Sequence, residues 1–199
     1  TAQFLQNANI LVTEAGQEPC LKEIKPDGKV AARLKLKCQT KNTHLQTRMA
    51  RKLPNGNYLV PQLLDKVVRE YTPQGKIVWE VKTPDMPFTA IRLPNNNTLI
   101  GCTRGNMVLE VDTKGKTTWK VTNDDLPGEP LKDVCGVQRL PNGNTVLACY
   151  RAKGEEQRLI ELTLEKKIVW TWTDKRRPGV HHFQILNTNG KPLRGRPLR

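Results

Sequence analysis

The sequence contains no run of 18 apolar residues, so nothing in it predicts a helix that spans a membrane. Aromatic residues are scarce, at 5% of the chain, but 37% of its 199 residues are hydrophobic, which is enough to bury a core. No signal peptide is visible, and the chain begins at Thr1 rather than at an initiator methionine. We therefore expect a trimmed or partial chain, whose missing signal says little about the compartment.

Motifs of several functional classes are also missing. The sequence has no G-x-S-x-G elbow, no phosphate-binding loop and no dinucleotide fingerprint. It has no zinc-finger spacing, no RNP-type aromatic motif and no helix-turn-helix pattern. The chain therefore offers no familiar catalytic motif and no familiar nucleic-acid-binding motif.

Positive charge, by contrast, is abundant. Lys and Arg number 33 and Asp and Glu number 19, which gives a net charge of +14. A balance of this size indicates either a soluble basic surface or an anionic partner, such as a small anion, a polyanionic glycan, a nucleic acid or a membrane surface. The basic residues are scattered, except in KRRPG from Lys175 and in KPLRGRPLR at the C-terminus. Without a recognition motif, we do not predict nucleic-acid binding.

One turn-like stretch recurs along the chain. KLPNGNYLV, RLPNNNTLI and RLPNGNTVL are strong copies, and FLQNANILV and ILNTNGKPL are weaker ones. Pro, Asn and Gly favour turns, because Pro fixes one backbone angle and Asn and Gly tolerate the left-handed conformation. The spacings between the repeated leucines are 48, 40, 47 and 46 residues, which indicates a repeat architecture. These leucines are Leu5, Leu53, Leu93, Leu140 and Leu186.

Each repeat contains further matching parts. A β-rich run follows the turn, and an apolar segment then ends on a glutamate, which is Glu23, Glu70, Glu110 or Glu161. A second turn leads to a strand that closes on Trp79, Trp119 or Trp170, while the first repeat has Ala32 there. We expect these tryptophans to be largely buried between neighbouring sheets, and the glutamates to anchor backbone amides or an adjacent arginine.

Four short strands in every 40 to 48 residues are typical of a β-propeller blade. We therefore predict an all-β chain that forms a single β-propeller domain over residues 1–199. Asn57, Asn97 and Asn144 should lie in the turns between the first and second strands of their blades. The complete blades should span about 1–37, 44–81, 87–121 and 133–173, with a partial fifth blade at 180–199. Such a chain is a partial propeller, completed by residues upstream of Thr1 or left as an open arc. A pair of β-sandwiches is the alternative, and the period argues against it.

The cysteines follow the repeat rather than a metal-site pattern. There are five, without C-x-x-C spacing, which argues against zinc. Cys102 and Cys149 each lie nine residues after a repeated leucine, so we expect buried thiols on strands. Cys20 and Cys38 could pair in an exported protein, and the sequence leaves that open.

Two of these motifs resemble a known group of proteins. The segment GKIVWE from Gly75 resembles the tryptophan-docking blades of quinoprotein-like (PQQ-type) propellers. Combined with LPNGN, it resembles secreted bacterial propellers that include relatives of arylsulfotransferases. The resemblance covers nearly the whole chain and implies a periplasmic or extracellular location. It also implies either PQQ with a metal above a vicinal disulfide, or an axial histidine that accepts a sulfuryl group. The chain has no adjacent cysteines and too few blades for PQQ, so we predict no cofactor and no metal site.

Propeller ligands bind near the axis, where the first strand of each blade begins. All three histidines, His44, His181 and His182, fall at such positions. We predict a basic axial mouth for a small anionic or polar ligand, because arginine suits carboxylate, sulfate and phosphate groups. Its ligand-binding residues are His44, Gln46, Arg48, Arg92, Arg139 and His181. The other possibility is that the arginines pair with the repeated glutamates and that the histidines cap strand ends.

The leading functional prediction is a non-catalytic ligand-binding or scaffold module, with a small ligand, a protein or a glycan as partner. The alternative is an arylsulfotransferase-like enzyme that uses His181, His182 or His44 as the nucleophile. A third possibility is a polyanion binder that acts through charge alone.

Overall fold

Four antiparallel sheets of four strands each account for most of the regular structure in residues 2–175 and 179–193, which are the residues that the computed structural model describes. The first sheet contains β1 (Ala2–Phe4), β2 (Ile10–Glu14), β3 (Cys20–Ile24) and β4 (Val30–Lys35). The second contains β5 (Arg51–Lys52), β6 (Tyr58–Gln62), β7 (Val67–Tyr71) and β8 (Ile77–Lys82). The third contains β9 (Pro87–Arg92), β10 (Thr98–Cys102), β11 (Met107–Val111) and β12 (Thr117–Val121). The fourth contains β13 (Val134–Arg139), β14 (Thr145–Cys149), β15 (Gln157–Leu162) and β16 (Ile168–Thr173).

Within each sheet the strands lie side by side in chain order. This up-and-down arrangement in four repeats is that of propeller blades, so the predicted fold class is confirmed. The chain forms two compact units, residues 1–90 and 91–199. In the first unit an apolar core lies between blades one and two, and in the second unit another lies between blades three and four.

Helical structure in the described residues is limited to two 3₁₀ turns, Thr43–Leu45 and Asn123–Asp125. Neither has the length or the apolar character of a transmembrane helix, and no helix in the described part of the chain does.

The repeated turn has the same hydrogen bonds in each of the four blades. In blade two, the Leu53 amide donates to the Asn57 carbonyl at 2.8 Å and the Gly56 amide donates to the Leu53 carbonyl at 3.0 Å. The side chain of Asn55 accepts the Asn57 amide at 3.0 Å. Gly56 has φ = 86°, and in blade three Asn96 takes this place with φ = 66°. In RLPNNNTLI, Asn95 therefore accepts the Asn97 amide, Asn96 takes the left-handed conformation, and the Asn97 carbonyl accepts the Leu93 amide. The predicted turn positions of Asn57, Asn97 and Asn144 are confirmed.

The residues before each repeated leucine are strand-like in sequence and predict the first strand of a blade, but TRMARKL from Thr47 and HHFQIL from His181 are not regular strands. In TRMARKL only Arg51–Lys52 is a strand, because Met49 has φ = 39°, a conformation that an extended strand does not allow. HHFQIL forms no strand, and the turn after it is a short hairpin of β17 (Asn187–Thr188) and β18 (Lys191–Pro192).

The recurrent tryptophans are less buried than expected. Trp79 and Trp119 are half-buried and Trp170 is 42% exposed. Each faces the recurrent glutamate of its blade across the last strand pair, in the pairs Trp79–Glu70, Trp119–Glu110 and Trp170–Glu161. The contact between neighbouring blades is seen at Trp119, whose Nε1 donates to the Leu164 carbonyl at 2.8 Å.

The cysteines are free thiols. Cys102 and Cys149 are fully buried on β10 and β14, as predicted. Burial raises the pKa of the Cys149 thiol to about 11, so this group is un-ionised and unreactive at neutral pH.

Candidate functional site

The structure brings together two of the predicted site residues, His44 and Arg48, in the first unit. His44 lies in the 3₁₀ turn that precedes β5, and its side chain is exposed. The half-buried Arg48 guanidinium donates to the Thr47 carbonyl at 2.8 Å and to the carbonyl of His44. These main-chain acceptors fix the guanidinium beside the imidazole, where Arg48 Nη2 is 3.2 Å from His44 Nδ1.

This contact determines which imidazole nitrogen carries the proton. A guanidinium can only donate hydrogen bonds, so His44 Nδ1 must accept and the proton of the neutral ring lies on Nε2. An imidazole in this form presents an N–H donor next to the cation of Arg48. The pair can therefore donate to an anion, whereas His44 Nε2 has no lone pair for nucleophilic attack.

Gln46 is buried, and its amide is engaged with the main chain of blade one. Its Nε2 donates to the Gly16 carbonyl at 2.9 Å and its Oε1 accepts the Gly16 amide at 2.8 Å. Asp65 adds a second support, because its carboxylate accepts the amides of Gln39 at 2.9 Å and Thr40 at 3.2 Å. Gln46 and Asp65 thus hold the segment around His44 in place.

The predicted arginines of the second unit bond to their own turns. Arg92 Nη1 donates to the Asn96 carbonyl at 3.0 Å, and Arg139 Nη1 donates to the Gly143 carbonyl at 3.2 Å. Arg139 also reaches the preceding blade, where Nη2 donates to Glu110 Oε2 at 2.8 Å and the guanidinium lies 5.9 Å from the centre of the Trp119 ring.

Glu110 is the centre of a contact that we call the Asn–Glu–cation lock, made by Asn97, Glu110 and Arg139. Asn97 Nδ2 donates to Glu110 Oε1 at 2.8 Å, while Arg139 occupies Oε2. The side chains of Glu110 and Arg139 are 10% and 12% exposed. The lock thus joins the turn of blade three, its third strand and the first strand of blade four.

Equivalent contacts occur at the other recurrent glutamates. Asn57 Nδ2 donates to Glu70 Oε1 at 2.7 Å, and Asn144 Nδ2 donates to Glu161 Oε1 at 2.7 Å. The expectation that the glutamates anchor an adjacent arginine is therefore met at Glu110. The partner that Glu70, Glu110 and Glu161 have in common is an Asn side chain rather than a backbone amide.

Blade one has a different version of the lock. Glu23 accepts the ammonium of Lys52 and the hydroxyl of Tyr58, the latter at 2.5 Å. Burial alone would raise the pKa of Glu23, but these hydrogen bonds outweigh it and hold the pKa below its ordinary value. Tyr58 also lies under the Lys52 ammonium, 5.5 Å from the ring centre. Ala32 occupies the position at which the other blades have tryptophan, and in blade one the Tyr58 hydroxyl contacts the glutamate instead. A cavity of about 10 Å³ remains there, lined by Glu23, Ala32 and Tyr58.

The remaining histidines are exposed in the second unit. The His181 ring stacks on Tyr150, with ring centres 3.7 Å apart and an angle of 15° between the planes. The segment around it is anchored by Gln138, whose side chain accepts the Ile185 amide at 2.8 Å. His182 is the next residue and is also exposed. Within the described residues, no three His, Cys, Asp or Glu side chains form a metal-binding group.

Sequence reasoning missed Asp65 and Tyr150. Lys52 precedes a repeated leucine as Arg92 and Arg139 do, but it is not among the predicted ligand-binding residues. Asp65 and Tyr150 occur outside any repeated motif, so only the folded chain reveals their contacts. That the predicted residues of the two units share one axial mouth stays a prediction.

Comparison with known proteins identifies relatives at the level of family and fold. The family model described as Mal s 1 allergenic protein-like matches residues 2–148, which is more than half of the chain. Among curated protein sequences, none matches.

Solved structures give a broader likeness. A protein of unknown function from Bacteroides caccae is 26% identical with a TM-score of 0.80, over 91% of this chain and 69% of that one. Virginiamycin B lyase from Staphylococcus aureus, solved with quinupristin, is 15% identical with a TM-score of 0.64, over 91% of this chain and 57% of that one. BBS1N, solved in complex with ARL6, is 12% identical with a TM-score of 0.60, over 97% of this chain and 59% of that one.

The last two likenesses show a propeller-type fold alone, and this chain spans less than two thirds of either protein. The predicted resemblance to quinoprotein-like and arylsulfotransferase-like propellers is therefore supported at the level of the propeller fold only.

Proposed function

The chain belongs to the Mal s 1 allergenic protein-like family, and we propose that it is a non-catalytic ligand-binding module whose anion site is the His44–Arg48 pair. The observation that supports this proposal is the fixed guanidinium of Arg48, bonded to the main-chain carbonyls of Thr47 and His44 beside an exposed imidazole. A pre-organised donor pair loses little conformational freedom when an anion binds.

The ligand class follows from the donors. A guanidinium binds oxyanions with charge-assisted hydrogen bonds, and the exposed His44 ring offers Nε2–H as a further donor. Carboxylate, sulfate and phosphate groups fit this chemistry. In this proposal Gln46 is a positioning residue, because its amide is bonded to Gly16. The ligand-binding roles of Arg92, Arg139 and His181 stay predictions.

Removing the guanidinium should weaken anion binding by about tenfold to a hundredfold, since a hydrogen bond to a charged group contributes about 1.5–3 kcal/mol. The test is calorimetric titration of the chain with sulfate, phosphate and acetate at constant ionic strength, for wild type and Arg48→Gln. Arg104→Gln is the control, because Arg104 is an exposed arginine in the turn between β10 and β11 and its loss changes the net charge equally. Equal affinity in wild type and Arg48→Gln, or an equal loss in Arg104→Gln, would contradict the site.

An arylsulfotransferase-like enzyme is the second candidate, and the stacking of His181 on Tyr150 favours His181 as its nucleophile. One ring nitrogen would attack the sulfur of p-nitrophenyl sulfate, the bond from sulfur to the phenolic oxygen would break, and p-nitrophenolate would leave. The sulfuryl group would then pass to a phenol, whose proton goes to solvent. Turnover that disappears in a folded His181→Ala variant would support this candidate, and an absence of turnover in wild type would exclude it. His182→Ala and His44→Ala complete the set.

We also propose that the module binds a protein or glycan partner and that it lies in the periplasm or outside the cell. The location is supported by the resemblance to secreted propellers, and the partner by the association of BBS1N with ARL6 on a similar fold. Fractionation of the native cells measures the location directly, and a cytoplasmic protein would contradict it.

A further inference from the structure

The last strand of each blade lies at the edge of its sheet, and the four edges differ in charge. β4, β8, β12 and β16 are these edge strands. The residue that follows the tryptophan position is Arg33 in blade one, Glu80 in blade two and Lys120 in blade three. In blade four it is Thr171, and the whole of β16 reads Ile-Val-Trp-Thr-Trp-Thr, without a charged residue.

An edge strand exposes unpaired backbone donors and acceptors, and proteins discourage edge-to-edge pairing by placing charges on it. β16 lacks this protection, although all of its residues favour strands. Its side chains are also accessible, because Val169 is 53% exposed and Trp170 is 42% exposed. The exposed valines of β4 and β8, Val30 and Val78, lie on strands that carry charges.

We propose that β16 is a pairing edge through which two copies of this chain associate, strand against antiparallel strand, about a two-fold axis at Trp170. Such an interface is isologous, so each copy contributes the same residues. Pairing about Trp170 brings the two tryptophans face to face and places Val169 opposite Thr171, and cross-strand pairs of aromatic and β-branched residues stabilise sheets.

The charges that flank β16 select a second copy as the partner. Lys166 and Asp174 lie four residues to either side of Trp170, and Glu165 and Lys175 lie five residues to either side. Glu165 and Lys166, which has φ = 64°, lie in the turn before β16, so they are not in register with it. A two-fold axis at Trp170 brings this turn of one copy near Asp174 and Lys175 of the other, so cations and carboxylates of both copies meet at each end of the paired strands. Lys166 and Lys175 also contact Asp125 and Glu155 of their own chain, at 2.7 and 2.6 Å.

Sedimentation velocity of the chain over a concentration series tests the pairing, independently of the proposed ligand site. Wild type should dimerise reversibly, and Thr171→Lys, which gives β16 the charge that the other edges carry, should raise the dimer dissociation constant about tenfold or more. Val169→Lys should act in the same way at a second exposed position. Thr117→Lys is the matched control on β12, an edge that already carries Lys120, and should dimerise like wild type.

A tryptophan fluorescence spectrum recorded along the same series should shift to shorter wavelength as the dimer forms, because Trp170 leaves water. A wild type that stays monomeric throughout would overturn the proposal. So would a dimer that is unchanged in both lysine variants, or association into species larger than a dimer, since a two-fold interface closes.

Discussion

Glu110→Ala should lower the free energy of unfolding by about 3–5 kcal/mol, because removing one partner of a buried ion pair leaves the other charge unpaired. Arg139 would lose its carboxylate at a site where its side chain is 12% exposed, and Asn97 would lose the acceptor of its side-chain amide. The lock joins two blades, so the loss should appear in global urea unfolding rather than as local fraying.

Glu155→Ala is the control for this substitution. Glu155 pairs with Lys175 at 2.6 Å, but both side chains are about three quarters exposed. Exposed ion pairs contribute about 0–1 kcal/mol, so the control should unfold nearly like wild type. Similar losses in the two variants would show that the lock has no special role.

Asn97→Asp should lower the free energy of unfolding by about 2–4 kcal/mol at neutral pH, and the neighbouring Asn96→Asp should change it by no more than about 0.5 kcal/mol. Asn97 Nδ2 donates to Glu110 at 2.8 Å, so aspartate would replace a donor with a second carboxylate in contact with the first. Asn96 is exposed at the tip of the turn with φ = 66°, a conformation that aspartate also tolerates.

The deficit of Asn97→Asp should also depend on pH. Two carboxylates in contact share their titration, and one of them takes up a proton at a higher pH than an isolated carboxyl does. The folded variant therefore binds more protons than its unfolded chain in mildly acidic solution, so the deficit should shrink as the pH falls toward about 5. Thermal unfolding at several pH values measures this. A pH-independent deficit, or equal effects at positions 96 and 97, would contradict the assigned contacts.

Most of the fold could be predicted from the sequence because its information is local and repeated. Leu53, Leu93 and Leu140 mark turns whose residue types have a direct physical meaning, and the spacing between them fixes the blade size. The predicted strands were wrong where the backbone conformation of one residue departs from the repeat. Met49, at φ = 39°, shortens the first strand of blade two, and no property of methionine predicts that angle.

The site was less predictable, because it depends on partners that are distant in sequence. His44 and Arg48 are four residues apart and could be paired by inspection. The bonds of Gln46 to Gly16 join positions 30 residues apart, and Arg139 meets Glu110 across 29 residues. The recurrence of Asn and Glu at matching places suggested a shared role, but their direct contact needed the register of the folded sheet.

A double-mutant cycle at Glu110 and Arg139 tests most directly the central claim, that the repeated motif encodes a lock between blades. The free energies of unfolding of wild type, Glu110→Ala, Arg139→Ala and the double variant would be measured in urea. A lock predicts a coupling energy of about 1–3 kcal/mol, because the second substitution costs little once the first has broken the contact. Effects that add to within about 0.5 kcal/mol would contradict it, and the recurrence of Asn, Glu and Arg would then have no energetic basis in blade-to-blade contact.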